Sequence, residues 1–357
     1  MIERFALRLI VIFIPIYLII VGYSIFDSLI ALLVTELTSV FLAVPAAKSA
    51  SKLGLKHTIL YRVPFQIFLI AWLFSMPYME LMFMNVVIIG LIWGFSRTFY
   101  YVSINSEFVE NSDRLHRGEE TGFFLSLPII VSMGSPYIGG IILEYFGFPF
   151  LFSAFILLMI VSVIPLFLTK DYKKYFKFEF KDVSFRMGNR FNICFFFQGF
   201  LLIGEALLWP YYSYIVLRDP ISTGLVASLS ALGIAFFTLF VGREADKISK
   251  NKLLVLGSIG CFIIWTVRFF VATPLEFFVM SFLGGFFLVL IRIPVFAAFA
   301  NKAIDGNILN HISQREIFLS LGRAAIISVI AFSILSFQAA LLLIAASSLL
   351  LLIIKLE

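Results

Sequence analysis

The sequence predicts an all-α membrane protein: twelve transmembrane helices in two pseudo-symmetric six-helix halves, with both termini cytoplasmic. Three observations predict it. First, 61% of the 357 residues are hydrophobic, 44 of them Phe, and the mean hydropathy is +1.05. A soluble domain of this length needs far more polar surface. Second, apolar runs of about 20 residues recur along the chain, each long enough to cross a bilayer as a helix. Third, a shift of 195 residues lays Pro15 on Pro210, Tyr17 on Tyr212, Gly90 on Gly285 and Arg97 on Arg292, and FLSL recurs at 124–127 and 318–321. Paired prolines and intramembrane arginines are rare enough to mark a repeat.

The spans are expected near 5–24, 27–47, 58–77, 80–104, 120–143 and 149–169, then 191–216, 221–241, 253–271, 274–299, 316–335 and 337–354. Helices are the expected element because lipid offers the backbone no hydrogen bonds. No small-residue cleavage site follows the first run, so it reads as a retained span rather than a signal peptide. The halves are 1–169 and 191–357, joined by a basic linker at 170–190. That linker alternates basic and aromatic residues, which suits a segment lying on the anionic inner leaflet.

Orientation follows from Lys and Arg. With the N-terminus inside, the even-numbered loops hold Lys48, Lys52 and Lys56, then Arg114 and Arg117, then Lys170 to Arg190, then GREADKISKNK at 242–252, then Lys302 and Arg315. The odd-numbered loops are short (YSIFDS, PYME, EYFGFP, RDPISTG, VATPLE, SFQAA) and carry only Arg218, with Arg268 one turn inside the membrane. The pI of about 9.2 therefore reports topology, and no nucleic-acid partner is expected. Short loops without an Asn-x-Ser/Thr sequon fit the plasma (inner) membrane of a prokaryote, and a monomer is the expected unit. Cys194 and Cys261 fall inside spans, as packing residues do. His57, His116 and His311 are scattered, so no metal site is expected. Motifs for prenyl transfer, HExxH hydrolysis, a nucleophile elbow or a phosphate-cradling loop are missing. No cofactor and no catalytic residue is expected.

Six of the eleven residues in GREADKISKNK are charged. Its Gly242, Arg243, Asp246, Lys247, Lys250 and Lys252 resemble the loop signature of the major facilitator superfamily, with Ser249 where a second Gly is usual. The first half has the counterpart AKSASKLGLKH at 47–57, keeping Lys52 and Gly54 but carrying Ser51 in place of the Asp. GSPYIGG at 134–140 is similar to the Gly-Pro…Gly-Gly motif of the superfamily's antiporters, through Gly134, Pro136, Gly139 and Gly140. GFPFLF (147–152) and REIFLSLGR (315–323) sit where similar sequences occur in that superfamily. The resemblance covers the whole chain. It implies a secondary transporter that moves a small solute by alternating access, the halves rocking about a site at their interface. It also implies a latch: Asp246 capping the start of the fifth span near Thr121 and Gly122, whose helix dipole favours negative charge. Ser51 can cap but carries no charge, so its latch would be weaker. The plainer alternative is that the basic residues set topology and Asp246 neutralises one of them.

Ionisable groups inside spans are costly and point to function. Glu36 lies in the second span, Arg97 in the fourth, Glu205 in the seventh and Arg292 in the tenth. The resemblance implies that the fourth, seventh and tenth spans line the cavity. Gln198, Glu205 and Tyr212 are spaced by seven and share a helix face, while Pro210 is expected to kink that helix. Tyr17 is the repeat mate of Tyr212. A carboxyl in an apolar cavity resists ionisation, so Glu205 could exchange a proton with solvent and couple transport to it. Alternatively it is a structural group bonded to a neighbouring helix. Arg97 and Arg292 could converge on an anion, with Trp93 and Tyr101 beside Arg97. They could equally snorkel, or pair with carboxylates. The superfamily's antiporters often carry an arginine four residues before a glycine in the fourth span, but that position here is Gly90. The antiporter-like motif favours proton-coupled export of an amphipathic compound; an organic anion as substrate, or a transport-dead sensor, is the alternative.

Overall fold

A computed structural model describes residues 1–112, 117–168, 178, 189–244, 248–333 and 337–353. Every regular element among them is helical. In chain order they are α1 (Ile2–Ile10), α2 (Phe13–Val21), α3 (Ile25–Leu53), α4 (Leu55–Leu60), α5 (Arg62–Ser75) and α6 (Phe83–Asn111), then α7 (Arg117–Ser132), α8 (Ser135–Leu168), α9 (Asn189–Ile203), α10 (Trp209–Leu217), α11 (Pro220–Glu244), α12 (Lys250–Arg268), α13 (Pro274–Ile304), α14 (Ile308–Phe332) and α15 (Phe337–Leu350). A π-helical turn, Gly204–Leu208, joins α9 to α10. Nine segments of the described residues are long and apolar enough to cross a membrane.

Helix starts fall in the short loops and have local chemical causes. Ser24 and Asp27 form a capping box at α3, and Thr273 and Glu276 form another at α13, with Pro274 just inside. Asp219 accepts from the amides of Ile221 and Ser222 at the head of α11. Each cap satisfies amides that a helix start leaves orphaned. Gly22, with φ at +115°, closes α2. The expected break between the fifth and sixth spans is narrower than a loop: Gly147 alone, at φ +75°, interrupts Ser135–Leu168. Only glycine takes that conformation without strain.

The repeat-related prolines each disturb the helix one turn before them. Pro15 cannot donate to the carbonyl of Val11, and α1 gives way to α2 at Val11–Ile12. Pro210 cannot donate to Ala206, and there the chain adopts the π turn. Proline removes one backbone bond; a wider turn is one way to absorb the loss.

Residues 1–169 meet residues 191–357 where α3 packs on α14 and where α11 packs on α7 and α8. Glycines make the second of these seams tight. A Cβ on Gly140 would stand 2.5 Å from the carbonyl oxygen of Pro220, and one on Gly224 would stand 2.3 Å from that of Pro136. The Tyr137 amide, freed by the turn before α8, donates to Ser228 Oγ at 3.0 Å. Gly139 packs on α1, where a Cβ would lie 2.2 Å from the Leu9 carbonyl oxygen. In a membrane, such small-residue contacts drive helix association. The repeat extends to packing within each half: Gly90 lies on Ala31 and Val34, and Gly285 on Ser230 and Ile234.

The halves also touch at both ends of the bundle. At the end where Tyr23 bonds the Met82 carbonyl, the Ser28 and Tyr211 hydroxyls are hydrogen-bonded and Phe26 meets Phe332 with ring centroids 5.4 Å apart. At the other end Asn105 donates to Glu316 at 3.2 Å, and Phe108 and Phe124 pack on Phe296.

Gly139→Val and Gly224→Val are each expected to cost about 1–3 kcal/mol through overpacking, read as a lower thermal unfolding midpoint in detergent. Gly134→Ala, whose Cβ would have nothing within 4 Å, should leave the midpoint unchanged.

Candidate functional site

Glu205 lies on the π turn and is buried. Its carboxylate is fully engaged. Arg268 of α12 donates to both oxygens, at 2.7 and 3.0 Å, and Ser230 Oγ donates at 2.6 Å. Arg268, also fully buried, gives a further bond to the Met280 carbonyl at 2.9 Å. Its guanidinium is sandwiched between Trp209 and Trp265, 4.4 and 4.2 Å from the ring centroids. Trp209 Nε1 in turn donates to Ser281 at 2.8 Å. Gly284 leaves room for the pair, since a Cβ there would sit 2.2 Å from the guanidinium. Every partner comes from residues 191–357. A bidentate, stacked arginine is a demanding arrangement that lysine cannot copy.

The heptad spacing of Gln198, Glu205 and Tyr212 does not produce a shared site. The π turn widens the helix between them and shifts its phase. Tyr212 stacks on Phe337, centroids 5.5 Å apart. Gln198 is buried with its Nε2 unpartnered among the described residues. Tyr17 donates to the Leu73 carbonyl at 2.7 Å.

The second cluster spans both halves. Glu36 of α3 is buried and bonded by Arg97 of α6; its other oxygen lies 3.6 Å from Arg323 of α14. Arg97 and Arg292 therefore do not form a symmetric clamp. Arg97 has a carboxylate; Arg292 of α13 has none within ion-pair distance among the described residues. Instead Arg292 lies within electrostatic reach of Tyr101, Arg315, Arg4, Arg8 and Glu316. Tyr101 of α6 is the hub. Arg4 donates to its hydroxyl at 3.3 Å, and Arg97 lies 6.0 Å from its ring centroid. Arg8, one helical turn after Arg4, feels the charges of Arg4 and Arg292 and has no ion pair among the described residues. Arg4 also stacks on Tyr100, as does Arg62, at 4.6 and 4.0 Å. Arg62 pairs with Glu3 at 3.0 Å, and Arg315 pairs with Glu316 at 2.5 Å. Trp93 is buried one turn from Arg97.

Sequence reasoning missed Arg268, Arg4, Arg8, Arg315, Arg323 and Glu316 as site residues. Arg4 and Arg8 were legible as an i, i+4 pair on one helix face. Arg268 was legible as an arginine one turn inside a span, which must find a partner.

Of the latch residues, Gly242 and Arg243 lie in the last turn of α11, and Asp246 and Lys247 fall outside the described residues. Thr121 is buried in α7, along which α11 packs. Ser51 donates within its own helix to the Lys48 carbonyl at 2.8 Å, and Lys52 is exposed. Most of the linker 170–190 also lies outside the described residues. Phe178 is described: it is buried against the protein core, and its carbonyl accepts from Lys48 Nζ at 2.7 Å. No group of His, Cys, Asp and Glu suited to a metal occurs among the described residues.

Removing one member of a buried pair strands the other's charge, at about 3–5 kcal/mol. Glu205→Gln and Arg268→Gln should each reduce folded yield and thermal midpoint sharply. Glu205→Leu with Arg268→Leu should recover much of the loss, because neither charge is then stranded.

No protein-family model matches the sequence. A multi-drug resistance efflux pump PmrA homolog of Lactococcus lactis subsp. lactis (strain IL1403) is 26% identical over 169 residues, which cover 42% of this chain and 41% of that protein's length. Three solved structures match almost end to end. The E. coli fucose:proton symporter FucP superposes with a TM-score of 0.71 at 12% identity, covering 99% of this chain and 94% of its own. A bacterial homologue of the iron transporter ferroportin, in its outward-facing state, gives 0.69 at 13%, covering 99% and 95%. The human organic anion transporter MFSD10 gives 0.67 at 13%, covering 99% and 96%. The chain thus has the fold of the major facilitator superfamily of transporters.

Proposed function

We propose that this chain is a secondary active transporter that moves a small organic anion by alternating access between two six-helix halves. The observation that carries the reading is the gathering of Arg4, Arg8 and Arg292 round Tyr101, from both halves and without a carboxylate partner among the described residues. Unpaired guanidinia at membrane depth are costly. A solute that supplies the missing negative charge is bound by the same force that makes the empty site unfavourable. Placement supports alternating access, since a ligand there would touch helices of both halves.

The proposal keeps twelve spans with both termini cytoplasmic, a monomer in a prokaryotic inner membrane, and the linker at 170–190 on the cytoplasmic face. Asp246 remains the proposed latch, in the loop after a helix that packs along α7. Glu205 we assign to structure, since both its oxygens are bonded by Arg268 and Ser230, and proton coupling through it is not part of this reading. A second reading is export of an amphipathic compound, favoured by the partial likeness to an efflux pump homolog and by the packing of Gly139 and Gly140 in the antiporter-like motif.

Proteoliposome uptake separates the two. The expected result is that radiolabelled benzoate or succinate enters, tetraphenylphosphonium does not, and Arg292→Gln cuts anion uptake at least about tenfold. Accumulation of tetraphenylphosphonium under an imposed pH gradient, with no anion movement, would overturn the anion reading in favour of export.

A further inference from the structure

The charge count at the seam says more about the solute than its sign. Seven guanidinia belong to this seam: Arg4, Arg62, Arg97, Arg315 and Arg323 through ring contacts or ion pairs, with Arg8 and Arg292 within electrostatic reach of Arg4 and Tyr101. Among the described residues three carboxylates face them: Glu3, Glu36 and Glu316. Each of the three already has an arginine. Glu316 is further held by Asn105, and Glu36 is shared between Arg97 and Arg323. The tyrosines Tyr100 and Tyr101 contribute ring faces and a hydroxyl but no formal charge. Among the described residues four positive charges are therefore uncompensated, and three of them, on Arg4, Arg8 and Arg292, have no ion pair there. Donor capacity is also unspent: the buried Nε atoms of Arg4 and Arg315 and Nη1 of Arg323 lack hydrogen-bond partners among the described residues. Arg315 itself is only 8% exposed.

We propose that the solute held at this seam is a multivalent anion, carrying at least two negative charges within reach of Arg4, Arg8 and Arg292 at once. This rests on the organic-anion reading. A single carboxylate would leave most of the excess charge in place. A second charge on the same small molecule meets a site that has already lost its hydration, so it gains more there than in water. Di- and tricarboxylates and phosphate monoesters share this chemistry. Both present planar or tetrahedral oxygens that accept forked arginine bonds.

The test is thermal unfolding of the full purified chain, followed by tryptophan fluorescence, in titrations with benzoate, succinate, citrate and phenyl phosphate. Ionic strength is held constant with sodium chloride. Apparent affinity should rise at least about tenfold from benzoate to succinate, with citrate or phenyl phosphate at least as tight. Comparing succinate with phenyl phosphate tells a carboxylate site from a phosphate site. Arg8→Gln and Arg292→Gln should erase the preference and also raise the midpoint of the ligand-free protein, because each removes an uncompensated charge. That rise keeps the variants interpretable, since they are expected to fold better. Benzoate binding as tightly as succinate, in an arginine-dependent way, would overturn the valence claim and leave the organic-anion reading standing. No shift with any of the four anions, or a fall in the ligand-free midpoint of both variants, would overturn both.

Discussion

A guanidinium inside a membrane has to find negative charge, and the structure is organised by where each one finds it. Arg268 is satisfied within its own half by Glu205, in a geometry that leaves neither group free. Arg97 and Arg323 meet Glu36 from opposite sides of the seam, and Arg315 meets Glu316, which Asn105 reaches from the other half. Arg4, Arg8 and Arg292 have no ion pair among the described residues. The same cost yields a closed internal pair in the first case, ties between the halves in the second, and in the third the cluster proposed to hold a ligand.

These settings have different mechanical consequences. The Glu205–Arg268 pair, held by Trp209, Trp265, Ser230 and Ser281, ties α10, α11, α12 and α13 together. The ties at Glu36 and Glu316 cross between bodies, as do the close contacts of Gly140 and Gly224. In the proposed alternating access, rocking of the halves would break some cross-seam bonds and reform others, with the glycine contacts as the bearing surface. The proposed anion among Arg4, Arg8 and Arg292 would lower the cost of closing the seam, because closure would otherwise bury like charges together.

Much of the fold was legible in the sequence, because its causes are local. Run length and the punctuation of Ser24, Asp219, Pro220 and Thr273 mark helix ends wherever they occur. Pro210 foretold an interruption in its helix, and the structure places a matching one before its repeat mate Pro15. The site was legible in composition and not in pairing. Glu205 and Arg268 are 63 residues apart, and whether they meet depends on helix rotation, which the π turn alters. Glu36 was readable as a costly group, and its partners lie on two other helices. Arg4 and Arg8 carried two messages at once: basic residues at a helix start mark topology, and the same residues on an inward face make a site. Only packing tells these apart.

The central claim is that a seam with uncompensated arginines opens and closes around an anion. The most direct measurement is a pair of spin-label distances on the full chain with Cys194 and Cys261 replaced by Ser. One pair, at Lys52 and Asp305, reports on one end of the bundle; the other, at Tyr78 and Leu275, reports on the opposite end. All four positions are exposed. The account predicts that succinate redistributes both distances in opposite senses, and that Arg292→Gln abolishes the response. Distances that ignore succinate, or that respond equally in Arg292→Gln, would contradict it.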